Sequence, residues 1–117
     1  MENFESAYGA TCELVSREIA LALGCVDTKN LEHMVARIQS ADKVFFVGVG
    51  RVLLSLQAIA KRLSHLGIET HVVGEITEPA ITAEDLLIVG SGSGMTLFPV
   101  AIARRAKSIG ATVVHMG

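Results

Sequence analysis

Asp85-Leu-Leu-Ile-Val-Gly-Ser-Gly-Ser-Gly-Met-Thr96 decides how this chain is read. It opens as a short apolar run, becomes a glycine–serine loop, and leads into the helix-like run Leu97 to Ile109. A strand that passes through such a loop into a helix is suited to binding a phosphate. The glycines let backbone approach an anion closely. Ser91, Ser93 and Thr96 offer hydroxyl donors, and the helix aims its free N–H groups at the same point. A nucleoside triphosphate loop would carry Lys before its final Ser or Thr, and a glycine at its start. Met95 and Val89 occupy those places here. With no lysine to reach a β- or γ-phosphate, the expected ligand is a small molecule carrying a phosphate. The competing reading is a plain turn whose hydroxyls only cap the helix.

Outward from this loop, strands and helices alternate. Lys43 to Val47, Glu69 to Val73, Leu86 to Val89 and Ala111 to His115 read as strands, rich in β-branched and apolar residues. Between them, Arg51 to Leu66 carries Leu54, Ala58, Ile59 and Leu63 at helical spacing and ends at Gly67. The helix beginning near Met95 runs to Ile109, stops at Gly110, and accommodates Pro99 near its first turn. Two helices precede this core. Glu5 to Leu23 ends at Gly24, and a second, capped by Asp27 or Thr28, carries Leu31, Met34, Val35 and Ile38. The alternation predicts right-handed crossovers and a parallel sheet. In such sheets, ligands gather beyond the carboxyl ends of the strands. Gly48-Val-Gly50 and Gly90 to Gly94 both fall there and are expected to face one crevice.

The 117 residues make one domain, a helical segment 1–40 followed by an α/β core 43–117. Half the residues are hydrophobic, which in so short a chain points to burial against further subunits, a homo-oligomer. No apolar run reaches the length of a membrane span. The formal charge of −2, with no basic stripe, argues against nucleic acid as a partner. No signal-peptide pattern opens the chain, and Cys12 and Cys25 show neither pairing nor metal spacing. A reducing cytoplasm is the expected setting. The last strand ends at His115-Met-Gly117 with no helix to cover it. A truncated chain, or one covered by a partner, is therefore expected.

Four segments carry a resemblance. Gly48-Val-Gly-Arg51, Arg62-Leu-Ser-His-Leu-Gly67, Val73-Gly-Glu75 with Pro79-Ala-Ile81, and Gly90-Ser-Gly-Ser-Gly-Met-Thr96 occur in the order and spacing of sugar isomerase (SIS) domains. The chain most resembles the 6-phospho-3-hexuloisomerases. The resemblance implies a three-layer αβα fold with a five-stranded parallel sheet of flavodoxin-like topology, the N-terminal helices being additions. It implies a dimer or tetramer that interconverts a 3-ketohexose 6-phosphate and fructose 6-phosphate, with no metal and no organic cofactor. Where the family loop usually reads Gly-Arg-Ser, Val52 stands at the serine; where it has Glu before the threonine, Met95 stands. The family's C-terminal strand, helix and proposed glutamate base have no counterpart up to Gly117.

The isomerisation needs a phosphate anchor, a donor to the sugar oxygens and a base. Ser91, Gly92, Ser93, Gly94 and Thr96 are the anchor candidates. Gly48 and Gly50 would let the sugar approach the first strand, with a tight turn as the alternative. Arg51 would bind sugar hydroxyls or polarise the carbonyl, or remain a solvated cation. His65 and Glu75 are the acid–base candidates, since His titrates near neutrality and Glu75 follows the second strand. His65 lies about 20 Å along the helix from Arg51, so it would serve a neighbouring subunit's site or be structural. Glu75 could equally be a solvated loop carboxylate. His115 sits at the carboxyl end of the last strand, in the functional layer. A sugar-phosphate-binding module without catalysis is the competing function.

Overall fold

The computed structural model describes residues 3–91 and 97–117. The chain separates into two compact units, Met1–His33 and Met34–Gly117. In the first, α1 (Phe4–Gly24) is capped by Asn3, whose side-chain oxygen accepts from the backbone N–H of Glu5 at 3.0 Å. That bond satisfies one of the donors every helix start leaves open. Phe4, Tyr8, Val15 and Ile19 fall on one stripe of α1, and all four are exposed. Asp27 caps α2 (Thr28–Ser40), accepting from Lys29 and Asn30 N–H, as its place before a periodic apolar run predicts. Cys12 and Cys25 are exposed and form no disulfide.

The second unit is an α/β sandwich. Its strands are β1 (Val44–Val47), β2 (Thr70–Val72), β3 (Leu86–Gly90) and β4 (Thr112–Met116). They pair in parallel in the order β2-β1-β3-β4. The central strands Val-Phe-Phe-Val and Leu-Leu-Ile-Val-Gly are buried throughout, as unbroken apolar runs predict for strands covered on both faces. Alternation divides their side chains between two cores. Val44, Phe46, Leu86 and Ile88 pack with Leu56 and Ala60 of α3 (Gly50–His65) and with Ile38 from the end of α2. Phe45, Val47, Leu87 and Val89 pack with Ala106, Ile102 and Ala103 of α4 (Leu97–Ile109) on the other face. Removing these apolar side chains from water stabilises the unit by roughly 1.5–3 kcal/mol for each fully buried one.

The three-layer parallel architecture and the flavodoxin-like strand order agree with the sequence expectation. The described residues form four strands, against the five implied by the resemblance. Element ends moved by a residue or two. The second strand is shorter than Glu69 to Val73, and the last runs one residue past His115 to Met116. The third helix begins at Gly50 rather than Arg51. Gly50 turns the chain into it with φ +62°, a conformation that glycine tolerates and side chains resist.

The amino ends of β1, β3 and β4 meet at one residue. Asp85, just before β3, is only 2% exposed. Its carboxylate accepts from Lys43 N–H at 3.1 Å, Thr82 N–H at 2.7 Å and the Thr82 hydroxyl at 3.1 Å, and pairs with Lys43 Nζ at 3.2 Å. Its backbone carbonyl accepts from Thr112 N–H. A buried carboxylate is tolerable only when its lone pairs are filled in this way.

Candidate functional site

The strand order places β1 beside β3, yet the helices that follow them cover opposite faces of the sheet. A crevice opens at such a switch point, beyond the carboxyl ends of the two strands. Both glycine exits meet there. Val47 and Val89 are register partners, so Gly48 and Gly90 leave the sheet side by side. The contact is close: a Cβ on Gly48 would lie 3.4 Å from the Gly90 carbonyl oxygen and 2.9 Å from Leu56 Cδ1. A Cβ on Gly90 would fall 2.5 Å from Val52 Cγ1 and 2.8 Å from Leu56 Cδ1. The first turns of α3 therefore lie directly on the strand exits, and a side chain at Gly90 would have to displace Val52 and Leu56.

α3 starts at this crevice. Val49, its N-cap, has no side-chain acceptor to offer the first N–H groups, which a helix leaves without intrahelical partners. The amino end of a helix also carries partial positive charge. Arg51, in the first turn, is exposed at the same end. Ser91 follows Gly90 and is 4% exposed. Its N–H donates to the Met116 carbonyl at 3.1 Å, and its own carbonyl meets His115 Nε2 at 2.8 Å. The origin of the glycine–serine loop is thus pinned to the end of β4. Gly92, Ser93, Gly94 and Thr96 lie outside the described residues, as does Met95.

Gly48, Gly50, Arg51 and Ser91 are thus at the carboxyl end of the sheet. Glu75 leaves the same end but at the edge strand, and His65 is at the other end of α3. His65 is exposed in the last turn of α3, the end of that helix opposite Arg51. Glu75 follows β2, the strand at the sheet edge, so β1 lies between it and β3. Its carboxylate accepts from the N–H of Val72 at 3.1 Å, covering a backbone donor of the edge strand. It lines a pocket of about 240 Å³ with Lys61, Ser64 and Thr70 along that edge. His115 emerges as a residue whose importance only the fold reveals. Its place at a strand end was visible in the sequence; its bond to Ser91, 24 residues away, was not.

A larger groove, about 540 Å³, runs between α4 and β4 from Ser91 and His115 to Lys107 and Thr112. It is mostly apolar along its length and lies beside the crevice. The groove does not reach Gly48 or Gly50.

No family model matches the chain. It is 45% identical over 104 residues to an uncharacterized protein of Methanothermobacter thermautotrophicus, a match covering 89% of this chain and 53% of that protein. It is 42% identical over 100 residues to the 3-hexulose-6-phosphate isomerase of Mycobacterium gastri, covering 86% of this chain and 50% of the isomerase. The sugar isomerase domain of an RpiR transcription factor from Sphaerobacter thermophilus superposes with a TM-score of 0.75 over 90% of this chain and 64% of that one. At 24% identity, that likeness speaks to the fold alone. The chain spans about half the length of the curated relatives it matches. These matches relate the chain in sequence to a 3-hexulose-6-phosphate isomerase and in fold to a sugar isomerase domain. Among the described residues, no helix is long and apolar enough to cross a membrane.

Proposed function

We propose that the chain acts on a phosphosugar in the manner of a 3-hexulose-6-phosphate isomerase, interconverting 3-hexulose 6-phosphate and fructose 6-phosphate. The observation that carries this reading is the meeting of Gly48 and Gly90 at the switch point, with α3 and the glycine–serine loop both opening from it. The identity to the Mycobacterium gastri isomerase supports the substrate class.

In this reading the phosphate is held by Ser91, Ser93, Thr96 and the backbone N–H groups of the loop from Gly92 to Met95. Gly48 and Gly50 admit the sugar to the end of β1. Arg51 donates to its oxygens. A base removes the proton from the hydroxyl-bearing C2, and a donor protonates the C3 carbonyl oxygen, giving an enediol. A proton is then delivered to C3 while the C2 hydroxyl loses its own, so the ketone moves by one carbon with no net oxidation. His65 supplies the acid or base from a neighbouring subunit of a homo-oligomer, since its own subunit holds it at the far end of α3. Glu75 is the second candidate, after release from Val72. The protein works in the cytoplasm, with no metal and no organic cofactor.

A second reading is favoured by one observation. Neither acid–base candidate stands at the glycine exits, and Glu75 is already engaged with β2. That arrangement suits a module that binds a phosphosugar without turning it over. Incubating the chain, and a version extended by its downstream coding sequence, with fructose 6-phosphate under NMR observation separates the two. Formation of the 3-hexulose in either form supports the isomerase. Binding without turnover in both supports the module. No binding of any sugar phosphate by either form rejects the anchor assignment and both readings with it.

A further inference from the structure

We propose that Glu75 and Glu78 close the outer edge of β2 to strand addition, keeping the β2 of a second copy from pairing with it. This closure is a matter of assembly and holds whichever ligand the chain binds.

β2 has β1 on one side and, among the described residues, no strand on the other. Its bonds to β1 show which backbone groups point outward. The Glu69 carbonyl accepts from Val44 N–H at 2.9 Å, and Val73 N–H donates to the Phe46 carbonyl at 2.8 Å. Residues 69, 71 and 73 therefore face β1, and the backbone groups of Thr70, Val72 and Gly74 face away from the sheet. Such an outward row of donors and acceptors is a template on which another strand can pair. In a pair of identical chains, that strand would be the partner's own β2, met across a two-fold axis.

Carboxylates from the loop after β2 already occupy this row. Val72 N–H donates to Glu75 Oε1 at 3.1 Å. Gly74 N–H donates to Glu78 Oε1, also at 3.1 Å. The Val72 carbonyl accepts from Glu75 N–H at 3.2 Å, so Glu75 holds both backbone groups of that residue. Glu78 N–H donates to the Glu75 carbonyl at 3.3 Å, which ties the two caps into one turn. The same device is thus applied to two successive outward donors. An arriving strand would need Val72 N–H and Gly74 N–H for its ladder, and would have to displace a charge-assisted bond to reach each of them.

The unaltered chain would be compared with two double variants, Glu75→Ala with Glu78→Ala and Glu75→Gln with Glu78→Gln. Sedimentation over a wide concentration range gives the mass, and amide hydrogen exchange reads Val72 and Gly74. Gln keeps an acceptor oxygen and removes the charge, whereas Ala removes both. In dilute solution the alanine pair is expected to exchange both amides about three- to tenfold faster than the unaltered chain, the loss of one modest hydrogen bond at each. When concentrated, it is expected to rise in mass above the unaltered chain, with both amides protected again as a new ladder forms. The glutamine pair is expected to stay within about threefold in exchange and to keep the unaltered mass. An alanine pair that matches the unaltered mass at every concentration overturns the proposal. So does association that leaves Val72 and Gly74 unprotected, since the contact would then lie on another surface. A glutamine pair that associates as the alanine pair does overturns it too, because charge rather than bonding would then guard the edge. If the alanine pair does not fold, Glu75→Ala alone leaves the Glu78 bond in place and is read at Val72. Faster exchange when dilute and renewed protection when concentrated support closure there, and protection at no concentration overturns it.

Discussion

At the amino end of β3 stands Asp85, a buried carboxylate held by Lys43 and Thr82; at its carboxyl end stands Gly90, buried and without a side chain. One strand therefore begins in a fully satisfied polar network and ends in bare backbone. The amino end joins the sheet to its neighbours: Lys43 precedes β1, and the Asp85 carbonyl receives Thr112 of β4. The carboxyl end has its tie displaced outward to Ser91 and His115, and the strand exits there lie beneath the first turns of α3. The difference teaches where this fold uses side chains to hold its strands and where it leaves them out. Polar side chains lock the amino end. Glycines let a helix pack directly on the carboxyl end.

Substitutions can break that contrast, beginning at the amino end. Asp85→Ala removes the acceptor of two part-buried backbone donors and the partner of the Lys43 ammonium, and is expected to destabilise the chain by about 2–4 kcal/mol in urea unfolding. An effect below 1 kcal/mol would remove Asp85 from the centre of the account. At the other end, Gly90→Ala forces a Cβ against Val52 and Leu56. Overpacking of this kind is expected to cost about 1–3 kcal/mol, and Val52→Ala in the same chain should return part of it. Strict additivity in that double-mutant cycle would contradict the close approach of α3 to the exit. Gly50→Ala meets no neighbour but must adopt φ +62°. Its expected cost is about 1–2 kcal/mol, from backbone strain alone, again read by urea unfolding. The smallest effect belongs away from both ends. Glu69→Gln breaks the 2.9 Å pair with His71, but Glu69 is 56% exposed, so screening should hold the change under about 1 kcal/mol. A larger loss would mean that the sheet edge, too, depends on a polar tie.

The layers of this molecule were legible because they rest on local pattern. Val44 to Val47 and Leu86 to Val89 are unbroken apolar runs, and both became central strands. Gly67 and Gly110 closed helices where the sequence places them, each with positive φ. The meeting of the two glycine exits was legible too, since they can meet only if their strands are neighbours. What the sequence concealed were contacts between distant residues. Asp85 stood just before a strand, with nothing to indicate its bond to Lys43, 42 residues earlier. Glu75 stands in the layer expected of it, but its carboxylate turns to the edge of β2. For His65, simple helix arithmetic was enough: its separation from Arg51 along α3 follows from residue count alone.

The most direct test of the central claim is a fructose 6-phosphate titration of the isotopically labelled chain, with the two ends of the sheet read in one experiment. The account predicts amide shifts at Gly48, Gly50, Arg51 and Ser91, and still signals at Lys43, Thr82 and Asp85. Shifts concentrated at the Asp85 end, or along the α4–β4 groove at Lys107 and Thr112 with the glycine exits unmoved, would contradict it.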